Sequence, residues 1–445
     1  MVSAVIGKIR DAGVIGAGGA GFPTHVKLSS TTKTIIVNGA ECEPLLKVDQ
    51  QLMEVRAEQI IQGLEIIMQL TGANEAVIGL KAKYKQAILA LEKELPDKPI
   101  RLHILGDFYP AGDEQVLVYE VTGRVVPQGG IPLKVDCMVI NVETILNVVG
   151  AVMGKPVTHT YLTIAGAVPM PITLRLPIGT MVAEALALAG VKNTKGLKVI
   201  HGGPMMGKVL DDLAEPITKT TKGLIVLPEN HQLITMRILS FVKVIKRGKS
   251  ACIQCRYCTD MCPRFLLGHD LQPHKIMRAL QHIKGNEEIL KTALTCSECG
   301  VCEQYACTMN LSPREVNSIL KKEFTKVGIK PPILPANQKI MAIREGRKIP
   351  VKRLIARLGL SQYDNNAPLS EQEYQVTKVQ IKLKQHVGAP SISIVKVGQQ
   401  VQQGELIAVV PAKALGANLH ASIGGIITEI GDSIVIVPME GSAGL

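Results

Sequence analysis

The chain has no tryptophan, five phenylalanines and eight tyrosines in 445 residues. Aromatic-rich cores are excluded, and burial must rest on aliphatic side chains, which a 46% hydrophobic fraction supplies. No uncharged apolar run reaches the roughly 18 residues of a membrane span. The most apolar helical stretch, near 232–245, is broken by Arg237 and Lys243. A transmembrane segment is therefore not expected, and the N-terminus lacks the charged-then-apolar order of a signal peptide. Acidic residues are also scarce, 38 against 50 basic ones, for a net charge of +12. Residues 321–357 carry eleven Lys and Arg against only Glu323 and Glu345. Aromatics are not interleaved with those charges, which counts against single-stranded nucleic acid. No nucleic-acid partner is expected. The stretch reads as a solvated basic face or a docking patch for an acidic partner.

What the chain does have is cysteine in two runs, eight of its ten. The first is Cys252-x2-Cys255-x2-Cys258-x3-Cys262-Pro263, and the second is Cys296-x2-Cys299-x2-Cys302-x4-Cys307. Three thiolates at two-residue intervals let one loop hold three corners of an iron–sulfur cube. In two-cluster ferredoxins the fourth ligand comes from the other run. One [4Fe-4S] cluster is thus assigned to Cys252, Cys255, Cys258 and Cys307, the other to Cys296, Cys299, Cys302 and Cys262. Zinc sites usually show two separated CxxC pairs rather than triplets, and disulfides suit an oxidising compartment. Clustered thiols without a signal peptide point to a cytoplasmic location. Cys42 and Cys137 stand apart and read as unligated, non-nucleophilic thiols.

The N-terminal third alternates helix and strand, which means an α/β layer fold. Helical spacing runs over 2–12. A glycine loop, Gly16-Ala17-Gly18-Gly19-Ala20-Gly21-Phe22-Pro23-Thr24, follows. It contains GxGxxG, but a nicotinamide Rossmann fingerprint follows a strand and opens a helix. Here a helix precedes the loop and Pro23 follows it. Such a loop can still bring backbone N–H groups to a phosphate or a flat ring. Beyond it lie a strand at 34–38, a long helix at 50–71, a strand at 75–80, a helix at 83–95 and a strand at 100–105. The loop Gly106–Glu114 then opens a helix, with Asp113 suited to capping it, and a strand at 138–141 runs into another helix.

The loops GAGGAGFPT, NGAECEP, YPAGDE and INVET together resemble the flavin/NADH subunit family of respiratory complex I (51-kDa subunit) and the Rnf complex C subunit. The resemblance covers about 1–150. It implies that FMN lies on the glycine loop, Gly16, Gly18, Gly19 and Gly21, and that NADH stacks on the flavin. It places Gly18, Gly19, Phe22, Lys27, Asn38, Glu41, Asp113, Glu114, Asn141 and Thr144 along the flavin and nicotinamide sites. Lys27 would neutralise the FMN phosphate and Glu43 would face NADH. The pattern departs at Ala40, where complex I has an acid, and at Ile140, where it has a second Asn.

Residues 157–227 read as short strands around one helix near 180–189, resembling the β-grasp (SLBB) module of the same family. His201 reads as a hydrogen-bonded strand-end histidine rather than a cobalt ligand, and Met205 and Met206 as core or interface. Helices near 231–247, 271–284, 286–295 and 312–326 bracket the cysteines. Residues 330–335 form a stiff linker and 365–375 a polar one. Residues 376–440 resemble a biotinyl/lipoyl barrel-sandwich hybrid. Lys413 lies near the place of the modified lysine, but its flanks, Ala412 and Ala414, lack the acids or methionine of such sites, so no modification is expected.

The expected architecture is multidomain α/β and α+β: a Rossmann-like FMN/NADH domain (1–155), a β-grasp domain (156–229), a helical ferredoxin-like domain (230–330), a basic linker (331–375) and the barrel-sandwich hybrid (376–445). Rnf C subunits carry the sandwich before the flavin domain; here it is last. That order is similar to the PduS-type cobalamin reductases of propanediol-utilisation microcompartments. The resemblance implies NADH-dependent reduction of cobalamin toward cob(I)alamin, delivery to a corrinoid adenosyltransferase, and residence among the shell proteins of a bacterial microcompartment. A soluble module between NADH and ferredoxin or flavodoxin, or a non-catalytic relay subunit, is the alternative.

Overall fold

Runs such as Thr34-Ile-Ile-Val-Asn-Gly39 are apolar on both faces, as strands covered by helices on two sides must be. In the computed structural model, which describes residues 2–333 and 339–439, this run is the centre of a parallel sheet. After α1 (Val2–Asp11) and α2 (Thr24–Leu28) come β1 (Thr34–Gly39), β2 (Glu75–Lys81), β3 (Ile100–Leu105), the short β4 (Phe108–Tyr109) and β5 (Cys137–Asn141). The order is β3-β2-β1-β5, all parallel. Alternation splits the strands between two cores. Ile35, Val37 and Ile78 join one, and Ile36, Val77 and Val139 join the other.

Helices α3 (Val48–Val55), α4 (Ala57–Thr71), α5 (Lys85–Glu94), α6 (Glu114–Thr122) and α7 (Val142–Val152) cover the faces. The expected single helix over 50–71 is two, because Arg56 leaves helical geometry (φ −128°, ψ 26°).

The next unit pairs β6 (His159–Gly166) with β7 (Ile172–Pro177), crosses through α8 (Val182–Leu188), and returns as β8 (Leu197–His201), β9 (Lys208–Val209) and β10 (Gly223–Pro228). The sheet runs β7-β6-β10-β8-β9, with β6 and β10 parallel at its centre. The cysteine unit is built from short helices, and the expected helix at 231–247 divides into Gln232–Arg237 and Phe241–Ala251.

Both linkers are more structured than the sequence suggests. Within 339–375, β11 (Ile349–Pro350) pairs antiparallel with β4, and the helix Val351–Arg357 packs in the core that holds Tyr109 and Cys299. Arg344, from the basic stretch, is 5% exposed, paired with Glu120 and stacked on Tyr119 at 4.5 Å. The polar 365–375 stretch supplies β12 (Leu369–Ser370), an edge strand parallel to β7. Positions 334–338 of the expected strap and 440–445 of the last unit lie outside the described residues.

The last unit stacks the sheet β13-β19-β18-β15 on β14-β16-β17 around an aliphatic core. Its strands are β13 (Val379–Lys382), β14 (Ile392–Ser393), β15 (Gln400–Val401), β16 (Leu406–Val409), β17 (Leu419–His420), β18 (Gly425–Ile430) and β19 (Ser433–Val437). Lys413 is exposed between β16 and β17. Lys219 joins three units: its buried Nζ donates to the carbonyls of Gly13 (2.7 Å) and Asn418 (2.9 Å). No described helix is long and apolar enough to cross a membrane.

Candidate functional site

The glycine loop is closed at its neck. Gly16 N donates to Phe22 O at 2.9 Å, and Ile15 bridges Pro23. Gly18, Gly19 and Gly21 all have positive φ, the region that disfavours side chains. A Cβ on Gly18 would sit 2.5 Å from Asn141 Nδ2, and one on Gly21 2.9 Å from Thr220, whereas Gly19 faces open space. Asn141 and Thr144, expected on the flavin site, hold the loop itself. Asn141 Nδ2 donates to Ala17 O (3.1 Å), and Thr144 Oγ1 accepts from Ala17 N (2.9 Å). A cradle with exposed Phe22 and an open backbone at Gly19 suits a flat ring bearing a phosphate, so the residues fit FMN.

Other expected residues converge on the same side. Asn38, at the end of β1, donates to Gly112 O at 2.9 Å and ties the NGAECEP segment to the YPAGDE loop. Lys27 Nζ donates to Val139 O at 2.5 Å and lies 3.5 Å from Glu114. Glu41 is raised to about 8 by burial, with Asp49 and Glu43 adding to the shift.

Two acids are occupied differently from expectation. Glu43, expected to face NADH, accepts from the amides of Met205 (2.8 Å) and Met206 (2.9 Å). Gly203 abuts the same carboxylate, where any side chain would collide. Burial raises the Glu43 pKa against those amides. Asp113 caps α6, accepting from Gln115 N (3.1 Å) and Val116 N (3.2 Å), and pairs with buried Arg264 at 2.9 Å.

The two cysteine loops share one backbone pattern. Gln254 and Arg256 have φ of 55° and 66°, and Glu298 and Gly300 have 59° and 78°. In each run the residues before and after the second cysteine are left-handed. That turns successive thiolates and amides toward one centre, an arrangement that receives anions. Glu298 N donates to Cys296 Sγ (3.3 Å), Asn317 Nδ2 to the same sulfur (3.5 Å), and Leu311 N to Cys307 Sγ (3.2 Å). Such donors stabilise charged sulfur and tune cluster potentials.

Cys262, Cys296, Cys299 and Cys302 line one small cavity with Leu271 and Pro273, all four thiols buried. Cys258 has Cys307, Cys252 and Cys255 as its nearest charged neighbours. The donor chemistry and this grouping fit two four-thiolate clusters. Among the described residues no three His, Cys, Asp or Glu side chains are placed to hold a single metal ion.

Sequence reasoning missed what joins these parts. Tyr109 Oη donates to Cys299 O at 2.6 Å, linking the YPAGDE loop to the inner cysteine run. Lys222 pairs with buried Glu143, beside Asp49 and Glu41. No local motif flags either contact. His201 Nε2 meets Thr221 Oγ1 at 2.6 Å at the end of β8, and burial lowers its pKa. Met205 is fully buried while Met206 is exposed. Cys42 is pushed up to about 12 by burial.

Comparison with known proteins gives matching assignments. Residues 9–150 match the Nuo51 FMN-binding domain, 251–312 a 4Fe-4S dicluster domain, and 361–443 the RnfC barrel sandwich hybrid domain. The chain is 48% identical to a protein of Citrobacter freundii named cobalamin reductase PduS, over 97% of this chain and 95% of that one. It is 47% identical, with the same coverage, to the protein of that name from Salmonella typhimurium. The RnfC-type component of an ion-translocating oxidoreductase complex of Pseudomonas aeruginosa is 37% identical over 60% of this chain and 34% of its own length. At 47–48% identity to the two reductases over nearly its whole length, the chain belongs to the PduS family.

Proposed function

We propose that the protein is an NADH-dependent reductase that passes electrons by way of FMN and two [4Fe-4S] clusters to cobalamin, reducing it toward cob(I)alamin for adenosylation. The observation that carries this is the physical joining of the two cofactor sites. The YPAGDE loop beside the glycine cradle is hydrogen-bonded and ion-paired directly to the inner cysteine set, through Tyr109 to Cys299 O and Asp113 to Arg264. Full-length similarity to two proteins named cobalamin reductase supports the acceptor.

Flavin accepts a hydride and releases electrons singly, which converts a two-electron donor to one-electron carriers. The chain's own residues supply position and electrostatics. Gly18, Gly19 and Gly21 open the cradle, with Gly16 closing its neck, and Asn141 and Thr144 fix it. Lys27 offers a cation for the phosphate. Glu41, protonated near neutral pH, can hold or give a proton at its carboxyl beside Asn38 and Phe22's loop. Glu114 lies beside Lys27 at the cradle's edge. Cys252, Cys255, Cys258 and Cys307 would hold one cluster, and Cys262, Cys296, Cys299 and Cys302 the other.

Residues 156–229 are read as a β-grasp unit, a reading supported by the central parallel pair β6/β10 flanked by two antiparallel hairpins. A corrinoid adenosyltransferase as recipient, and shell proteins of a microcompartment as surroundings, follow from the same family reading. Anaerobic incubation with NADH and hydroxocobalamin tests the acceptor. Appearance of the reduced cobalamin spectrum supports it; oxidation of NADH that leaves cobalamin unchanged refutes it.

A further inference from the structure

The two cysteine sets differ sharply in exposure. Cys262, Cys296, Cys299 and Cys302 are buried against the flavin-side loops, with Gly300 in close contact with Met205. In the other set Cys255 is exposed and Cys252, Cys258 and Cys307 are half-buried. The loop around Cys255 also exposes Ile253 (62%), and Met309, two positions after Cys307, is 40% exposed. Apolar side chains are thus offered to solvent beside the outer thiolates.

The charge around them is one-sided. Residues 241–284 hold nine Lys and Arg against Asp260 and Asp270. Arg264 is buried on Asp113, and Asp260 is paired with Arg256 at 3.1 Å. Lys249 and Lys275 are exposed and make no ion pair among the described residues. The helix 241–251 ends at the first cysteine, and its Lys249 O accepts from Gln281 just past the helix Pro273–Ala279, which carries Lys275. Arg256 and Lys275 both depress the pKa of His274, so the two cations face one spot. The collar is cationic, with an apolar centre and an electron-carrying group beneath it.

We propose that this face docks an acidic one-electron carrier protein, which exchanges electrons at the outer cysteine set. The inference goes beyond cobalamin reduction and does not depend on it. Weak redox encounters need only a small interface, and complementary charge supplies their on-rate and salt dependence. Each NADH oxidised to NAD+ releases a proton and two electrons, one for each of two carrier molecules, whose redox centres are each reduced by one electron.

The test uses the holoenzyme and oxidised flavodoxin, an acidic carrier, as probe. Affinity is measured by titration at rising salt for the parent and for the Lys249→Glu/Lys275→Glu double variant, with an acidic protein lacking a redox group as control. The expected result is flavodoxin binding tighter than the control, weakening with salt, and falling about tenfold in the double variant. Bleaching of the flavin band by NADH should be unchanged, which shows the variant is folded and loaded. Equal binding by parent and variant, or binding no tighter than the control, overturns the proposal. Cobalamin reduction, assayed separately on the same parent sample, fails or succeeds independently of that outcome.

Discussion

Arg264 Nη1 lies 2.9 Å from Asp113 Oδ1, both side chains almost wholly buried. The pair joins the residue two places after Cys262 to the N-cap of α6, and so fixes the inner cysteine loop against the flavin-side loop. Removing one partner strands the other charge in a low-dielectric site, which typically costs about 3–5 kcal/mol. Arg264→Ala should therefore lower stability in urea unfolding by roughly that amount. Adding Asp113→Asn to it should recover part of the loss. An Arg264→Ala protein as stable as the parent would show that the pair does not hold the two loops together.

The glycines of the cradle are not equivalent. Gly18 has φ 132° and no room for a methyl against Asn141, while Gly19 has φ 60° and open space. Gly18→Ala should strip FMN from the purified protein. Gly19→Ala, paying only the left-handed backbone cost of about 1–2 kcal/mol, should keep most of it. Flavin released per chain on denaturation reads the difference. Equal flavin content in the two variants would contradict this assignment of the cradle.

Glu41 gives stability a pH dependence of definite sign. Burial, then Asp49 and Glu43, raise its folded pKa to about 8 from an ordinary 4.5. Between those values the folded state binds a proton that the unfolded state has released. Its contribution to stability is fully present below the unfolded value and is lost as pH rises through the folded one. Denaturant unfolding from pH 5 to pH 8.5 should show the parent losing stability more steeply than Glu41→Gln. A parallel pair of curves would mean Glu41 is ionised in the folded protein.

The cross-run ligand sets make a stoichiometric prediction. Cys262→Ala with Cys299→Ala removes two ligands of one cluster and should leave about four irons per chain instead of about eight. Cys262→Ala with Cys307→Ala strikes both sets and should leave few or none. Iron and sulfide counts after anaerobic reconstitution distinguish them. If the first double variant lost both clusters, each run would have to supply its own fourth ligand.

Much of this was legible because it is local. Cysteine triplets, the glycine loop and the capping Asp113 each announce themselves within ten residues. The parallel sheet followed from apolar runs alternating with helical spacing. What could not be read lies between segments far apart in the chain. Tyr109 reaches Cys299 across 190 positions, and Lys222 reaches Glu143 from another sheet. Arg344 looked solvated because its counter-ion Glu120 is 224 positions away. Residues 369–370 looked like linker because an edge strand so short carries no periodicity of its own. Glu43 had two plausible partners, and only the folded β8–β9 turn shows that Met205 and Met206 hold it.

The most direct test of the whole account is an anaerobic spectrophotometric titration of reconstituted protein with NADH, followed by hydroxocobalamin. Bleaching of the flavin and cluster bands by NADH, and their recovery as reduced cobalamin appears, is the result this electron path requires. Flavin and cluster bands that stay unbleached by NADH would contradict it at the first step.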